Sequence, residues 1–291
     1  MNKNQNYIKI PSMVKKMMSV HFRQYYSQIN RNWRKGVGSS LSNQKALERS
    51  KIIKKLIPQK AKILEIGSGS GIFLANLQKM GYVTYGVEPD QSAYLSSKKL
   101  FEANKLNFKI YNTKGEKLPF KSNNFDFVCS FQVIEHVNNP LKVFKESARV
   151  LKTNGVIYFV IPNYHSFWEG HYGIFWLPFL NKKTAEIYLS LFKRNKNFIN
   201  EINFITPKIV KNLCREAGLE IVSLGENEWK KRLEKGTFRA YGGSKKLLSL
   251  VKIIKFLKIN ALVAKLGLIF EFYYPIVLIA KKTKKLSSPK L

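Results

Sequence analysis

Lys62-Ile63-Leu64-Glu65-Ile66-Gly67-Ser68-Gly69-Ser70-Gly71 is the stretch on which the reading of this chain turns. Residues 62–66 form a short apolar run closed by a glycine-rich turn, the pattern of a buried strand. Glycines at alternate positions let the backbone bend sharply and approach a ligand with no Cβ in the way. Ile72, Leu74, Ala75 and Leu77 then recur at helical spacing, so the N–H groups of a helix over 72–80 face an anionic ligand group. Glu88 stands 17 residues past Gly71, at the end of a second predicted strand over 82–87. There it is placed to accept hydrogen bonds from ribose hydroxyls. These features describe a nucleoside-containing ligand. A dinucleotide turn, G-x-G-x-x-G, would need glycine where Ile72 stands, and no G-x-x-x-x-G-K-[ST] phosphate loop occurs. Glu65, just before the turn, would repel a pyrophosphate but suits a ligand that carries an ammonium.

Outward from this turn, helix and strand patterns alternate. A helical stretch over 91–106 precedes a third strand over 108–111. A fourth strand over 125–131, a helix over 140–151 and a fifth strand over 155–161 follow. Such alternation predicts an α/β fold, a parallel sheet covered by helices on both faces. In such sheets the ligand lies beyond the carboxyl ends of the strands. The pattern breaks after residue 163 for about forty residues. It resumes with a helix over 206–217 and strand-like runs over 219–224 and 272–280, while 228–270 reads as basic helices.

Several ordered stretches resemble the class I S-adenosylmethionine-dependent methyltransferases. Ile63-Leu64-Glu65-Ile66-Gly67-Ser68-Gly69-Ser70-Gly71 resembles their first motif, and Gly86-Val87-Glu88-Pro89-Asp90 their second. Leu118-Pro119-Phe120, Phe125-Asp126-Phe127-Val128 and Glu135-His136-Val137 are similar to their LPF, FD.V and EHV run, and Arg149–Gly155 to the turn before their fifth strand. The resemblance is close over 60–163 and faint over 200–225 and 272–282. It implies a Rossmann-like fold with a mostly parallel seven-stranded sheet, a helical N-terminal extension and helical insertions. The implied cofactor is S-adenosyl-L-methionine, with Gly67, Ser68, Gly69 and Gly71 around its methionine part and Glu65 near its amino group. By the same resemblance Glu88 holds the ribose hydroxyls and Pro89 packs beside the adenine. Gly115 and Glu116 lie along the adenine edge, and Phe131 and Gln132 border the sulfonium. Lys114 stands where the family often carries Asp.

Methyl transfer is an in-line displacement, so positioning the nucleophile is central, and a hydroxyl or protonated amine also needs a base. The irregular segment Asn163–Gly173 concentrates two of the four histidines with a carboxylate and several aromatic residues. His171 or His165 is therefore a candidate base, oriented by Glu169. Glu135 and His136 read first as the start of a helix, and His136 is kept as a further catalytic candidate. The order H-x-x-x-E-x-H over 165–171 lacks a standard zinc spacing, so no metal is expected. Neither a [DN]-P-P-[FY] motif after the fourth strand nor a Pro-Cys nucleophile is present, which argues against base methylation. Cys129 and Cys214 read as core packing. The aromatic and basic stretch His21–Arg34 reads as a lid carrying Tyr25, Tyr26 and Trp33, or as an RNA contact.

Charge divides the chain unevenly. Its 291 residues carry 51 Lys and Arg against 18 Asp and Glu, a net +33. Residues 1–59 hold 13 basic side chains against 1 acidic, and 228–291 hold 16 against 3. Such ends suit an anionic partner, although 42 Lys against 9 Arg equally fits a coding bias. The segment Lys245–Lys265 places Leu247, Leu248, Val251, Ile254 and Leu257 at helical intervals between lysines. That suits packing over the substrate cleft, or an anionic membrane interface. Two cysteines exclude a disulfide scaffold. The run Leu266–Ala280 is 15 residues long and holds Glu271 and Pro275, short of the roughly 20 apolar residues of a membrane span. The first twenty residues mix polar and basic side chains and lack an apolar core, so no secretory signal is expected.

The expected organisation is a basic helical extension or lid over 1–59 and a cofactor-binding core over 60–163. A substrate-side insertion over 164–205 and a C-terminal part over 206–291 complete it. The expected activity is methylation of a hydroxyl, or less readily an amine, on a small-molecule, saccharide or lipid-linked substrate. Alternatives are RNA or protein methylation through the basic ends, and a non-catalytic module that binds membrane or nucleic acid. A cytoplasmic location is expected, with peripheral contact at the inner membrane surface.

Overall fold

A computed structural model describes residues 8–27, 33–235, 252–254 and 256–282. Seven strands form the central sheet: β1 (Lys62–Ile66), β2 (Val83–Val87), β3 (Ile110–Tyr111), β4 (Phe125–Phe131), β5 (Leu151–Ile161), β8 (Leu219–Ser223) and β9 (Ile276–Lys282). Their order across the sheet is β3-β2-β1-β4-β5-β9-β8. β1 to β5 pair in parallel, whereas β9 runs antiparallel to both β5 and β8. The mostly parallel α/β sheet expected from the alternating pattern is therefore present. Its strand order reverses between β1 and β4, and the glycine-rich turn leaves β1 at that switch point.

The helices α4 (Ile72–Lys79), α5 (Gln91–Ala103), α6 (Pro140–Val150) and α8 (Pro207–Ala217) pack around this sheet. Sequence signals set their ends. Asp90 and Asn139 cap α5 and α6 through side-chain oxygens, and Pro140 follows at the first turn of α6. Thr206 caps α8, which stops at Gly218 with φ +68°. Ile63, Leu64 and Ile66 of β1 are buried against α4 and α6, each worth roughly 1.5–3 kcal/mol by burial.

Three helices precede the sheet: α1 (Ser12–Ser27), α2 (Trp33–Ser40) and α3 (Asn43–Lys54). α1 lies along α5, and α3 along α4. The segment after β5 carries a small hairpin, β6 (Trp168–Glu169) with β7 (Ile174–Phe175), and the helix α7 (Lys182–Leu191). Its aromatic residues form a separate core of Tyr164, Tyr172, Trp176, Phe198 and their neighbours, against which Tyr25 and Tyr26 of α1 pack.

Some expected boundaries shift. The final strand begins at Ile276 rather than 272, after Pro275, which has no N–H to give a ladder. β5 begins at Leu151, because Leu151 pairs with Phe125 across an irregular register. Of the expected basic helices, α9 (Glu226–Lys235) and α10 (Asn260–Ile269) are seen, with Trp229, Leu233 and Ala264 packed between them. Leu247, Leu248 and Val251 lie outside the described residues, whereas Leu257 is exposed. Among the described residues no helix is long and apolar enough to cross a membrane.

Candidate active site

The turn after β1 is held open by backbone geometry and by one carboxylate. Gly67, Gly69 and Gly71 have φ of +73°, +53° and +73°, a region L-residues enter at a cost. A Cβ on Gly67 would lie 2.4 Å from Val133 Cγ2, so only glycine lets the segment after β4 press onto the turn. Gly69, by contrast, faces open space. Gly71 is the N-cap of α4 and offers no capping side chain, which leaves the helix N–H groups for another acceptor. Gly69 N–H donates to Glu88 Oε2 at 2.7 Å and Asp90 N–H to Oε1 at 2.9 Å. Burial raises the Glu88 carboxyl above its usual range, and these two backbone donors oppose that rise.

Glu65 is the other carboxylate at this end. It is buried, its Oε2 has no hydrogen-bond partner, and burial pushes its pKa up to about 8 against the attraction of Arg49. The Arg49 guanidinium, from α3, lies 4.1 Å from the centroid of the Phe131 ring. Ser68 Oγ is likewise buried without a partner. An orphaned carboxylate and hydroxyl beside a glycine cradle fit a ligand that brings a cation and hydrogen-bonding groups. S-adenosylmethionine, with its ammonium, carboxylate and ribose, matches that donor set.

The remaining sequence-chosen residues sort by position. Pro89 is held beside Glu88, where Asn112 Nδ2 donates to the carbonyls of both. Gly115 packs beneath the end of β1, where an added Cβ would meet Ile66 Cγ2 at 2.8 Å. Glu116 turns toward the start of α6, accepting from Asn138 and Asn139 N–H at 2.9 and 3.3 Å. Phe131 ends β4, and Gln132 follows it with φ +57°. Strained backbone of this kind at a strand end is a mark of functional loops.

A second group of residues gathers beyond β4. Val133 leads into a short 3-10 turn, Ile134–His136. His136 Nε2 lies 3.1 Å from His171 Nε2, although 35 residues separate them in sequence. His171 Nδ1 is 2.6 Å from Glu169 Oε1, and Glu169 Oε2 accepts Tyr172 N–H at 2.6 Å. Tyr164 Oη donates to Glu169 Oε1 at 3.2 Å. His171 holds the Glu169 carboxyl below its usual range in spite of burial, whereas burial and His171 push His136 down to about 3. Three of the four expected catalytic residues, His136, Glu169 and His171, therefore meet. His165 does not join them: its ring packs on Phe179 at 4.7 Å and it senses Glu271. Tyr164 and His165 both lie in a turn, closed by Ser166 N–H to the Asn163 carbonyl and by His165 N–H to Asn163 Oδ1, and their side chains leave it in different directions.

The helix α1 joins the two groups of residues. His21 Nδ1 is 3.1 Å from Asp90 Oδ1, and Tyr25 Oη is 3.4 Å from His136 Nε2. These residues stand one helical turn apart, about 6 Å along the axis. The carbonyl of Ser40, at the end of α2, accepts from Ser70 Oγ at 3.0 Å. From the aromatic stretch read as a lid, His21 thus meets the residue after Pro89, and Tyr25 meets His136. The Trp33 side chain lies outside the described residues. Sequence reasoning missed Arg49 and Tyr164, and it treated Glu135 only as a helix start. The adjacency of Glu135 to His136 was the available signal.

Residues 40–224, more than half of the chain, match the family model described as a methyltransferase domain. The chain belongs to this methyltransferase family. It is 31% identical over 178 residues to the uncharacterised protein MJ1123 of Methanocaldococcus jannaschii, covering 61% of this chain and 73% of that one. It is 25% identical over 165 residues to the ubiquinone biosynthesis O-methyltransferase of Azoarcus sp., covering 56% and 66%. The methyltransferase thus spans just under two thirds of that relative's length. Among solved structures it resembles geranyl diphosphate C-methyltransferase from Streptomyces coelicolor in complex with Mg2+, geranyl diphosphate and S-adenosyl-L-homocysteine. There the TM-score is 0.52 at 11% identity, covering 81% of this chain and 78% of that one. The protein is an S-adenosylmethionine-dependent methyltransferase.

Glu88 is the residue through which the cofactor site is most simply tested. Glu88→Ala removes the carboxylate expected to accept from the ribose, together with the tie to Gly69. Titration calorimetry with S-adenosylhomocysteine should show affinity lower by at least tenfold, about 1.4 kcal/mol. Affinity within threefold of wild type would remove Glu88 from the cofactor site.

Proposed function

We propose that this methyltransferase acts on a hydroxyl of a small-molecule, saccharide or lipid-linked substrate. The observation that carries the reading is the contact between His136 and His171, backed by Glu169 and set where Val133 touches the glycine turn. When bound, the cofactor would supply a sulfonium methyl group, sulfur keeping the electron pair, to a substrate oxygen whose hydroxyl proton leaves to solvent at the His136–His171 cluster. Glu169 orients His171 by accepting its Nδ1–H, which leaves Nε2 aimed at the cluster. Tyr25 and the aromatic core of the insertion position the substrate. The likeness to an O-methyltransferase of ubiquinone biosynthesis supports oxygen as the acceptor.

The test is transfer of labelled methyl from S-adenosylmethionine to a panel of phenols, saccharides and lipid-linked alcohols, with matched amines and RNA alongside. Product on a hydroxyl is expected. His171→Ala should lower kcat by about 10²–10⁴, the range for losing a group that assists deprotonation of the hydroxyl, with cofactor affinity unchanged. Product on amines or RNA alone would replace the hydroxyl by that acceptor.

A further inference from the structure

Glu135, His136 and His171 do not form a finished hydrogen-bond network. Glu135 is fully buried, yet neither carboxylate oxygen has a hydrogen-bond partner. Its Oε1 is 3.7 Å from His136 Nε2, beyond hydrogen-bond reach, and that nitrogen is 3.1 Å from His171 Nε2. One ligand atom from each residue lies within 4.8 Å of the other two. A cation held at about 2.1 Å by two ligands, at angles near 90–120°, separates them by about 3.0–3.6 Å. The two spacings to His136 Nε2, 3.7 Å and 3.1 Å, fall close to that range. Two imidazoles facing each other through Nε2 can share one proton and still leave Glu135 unsatisfied. A cation satisfies all three groups at once.

The support behind His171 points the same way. Its Nδ1 is 2.6 Å from Glu169 Oε1, which also accepts from Tyr164 Oη, while Glu169 Oε2 is tied to Tyr172 N–H. A carboxylate behind the far ring nitrogen sets the tautomer with the Nε2 lone pair facing inward, as behind metal-ligating histidines. Val133, two residues before Glu135, lies against the glycine turn, and Tyr25 Oη is 3.4 Å from His136 Nε2, so the cluster is a near neighbour of that turn.

We infer that Glu135, His136 and His171 hold a divalent transition-metal cation with an open position for the substrate hydroxyl oxygen. The inference deepens the proposed hydroxyl methylation and rests on it for the metal's role. Two imidazoles with one carboxylate suit zinc, iron or manganese better than calcium. Three protein ligands, rather than four, leave the coordination incomplete as in catalytic sites. As the substrate O–H bond breaks, oxygen keeps its electron pair beside the cation and the proton leaves to solvent water at the exposed edge of the cluster, so the two histidines act as ligands and not as the base. Local spacing could not show the set, because its members come from the turn after β4 and from the β6–β7 hairpin.

The test uses full-length protein freed of metal with EDTA, then titrated with Zn2+ and with Co2+ in the absence of cofactor and substrate. One ion per chain is expected, with micromolar or tighter Kd, a Co2+ ligand-field absorption band and a rise in unfolding temperature with Zn2+. Glu135→Gln and His136→Gln should each weaken binding at least tenfold, whereas His165→Gln should not change it. Should Glu135→Gln fail to fold, His136→Gln and the wild-type Co2+ band still decide. Wild type that binds neither ion below millimolar concentration would overturn the site, as would equal binding by the cluster variants and His165→Gln. Hydroxyl methylation undiminished in EDTA would overturn the metal's role and leave the proposed reaction standing. A bound ion in an enzyme that methylates only amines would overturn the reaction and leave the site.

Discussion

Gly67→Ala is expected to lower S-adenosylmethionine affinity at least a hundredfold, about 2.7 kcal/mol. It should also destabilise the fold by about 2–4 kcal/mol, the combined scale of backbone strain and overpacking. Two independent features act here. The residue sits at φ +73°, and the new methyl would meet Val133 Cγ2 at 2.4 Å and Cγ1 at 2.9 Å. Val133 cannot withdraw cheaply, because Ile134 and Glu135 behind it are fully buried. The turn would have to move instead, and with it the Gly69 N–H that Glu88 holds. Gly69→Ala is the informative contrast, since its Cβ would meet open space and only the backbone strain is added. Urea unfolding and calorimetric titration of both variants separate the effects. A Gly67→Ala protein that keeps wild-type affinity would show that the cofactor does not use this turn.

Glu65→Gln should make the protein more stable than wild type at alkaline pH while weakening cofactor binding by at least tenfold. Burial raises the Glu65 pKa from 4.5 to about 8. The folded state therefore holds a proton that the unfolded state has released between those values. Stability linked to this group is complete below about pH 4.5 and is lost as pH rises toward and through 8. Glutamine cannot ionise, so the variant's unfolding midpoint should stay flat where that of wild type falls. The gap should widen from pH 5 to pH 9. Cofactor binding runs the other way, because an ammonium beside Glu65 favours the ionised carboxylate. Affinity of wild type should rise between pH 5.5 and 7.5, and that rise should vanish in Glu65→Gln. Parallel melting curves of the two proteins across this window would mean that Glu65 is ionised in the free enzyme.

Both predictions concern the part of the molecule that the sequence makes plainest. Alternate glycines after an apolar run, with a carboxylate 17 residues later, are legible because each feature is local. A turn needs its own residues to reach positive φ, and a strand end needs only its own apolar run. The sheet order beyond β4 was less legible. β9 enters between β5 and β8 although about fifty residues separate it from β8, and no local pattern encodes that pairing. The β6–β7 hairpin has two residues in each strand, too few for alternation to show. α7 carries a capping box of Asn181 with Thr184, a signal that a reading based on hydrophobic spacing passes over.

The amino-acid sequence by itself determines the α/β architecture, the glycine-rich turn and the carboxylate that closes β2, because short-range periodicity, glycine placement and motif order carry them. It also names three members of the histidine cluster. Only the tertiary structure decides that His136 and His171 face each other, that His165 points elsewhere and that Glu135 is buried without a partner. Those facts depend on how the hairpin after β5 folds back over the turn after β4. Such long-range packing is set by burial of the aromatic core around Tyr164 and Phe198, not by spacing along the chain.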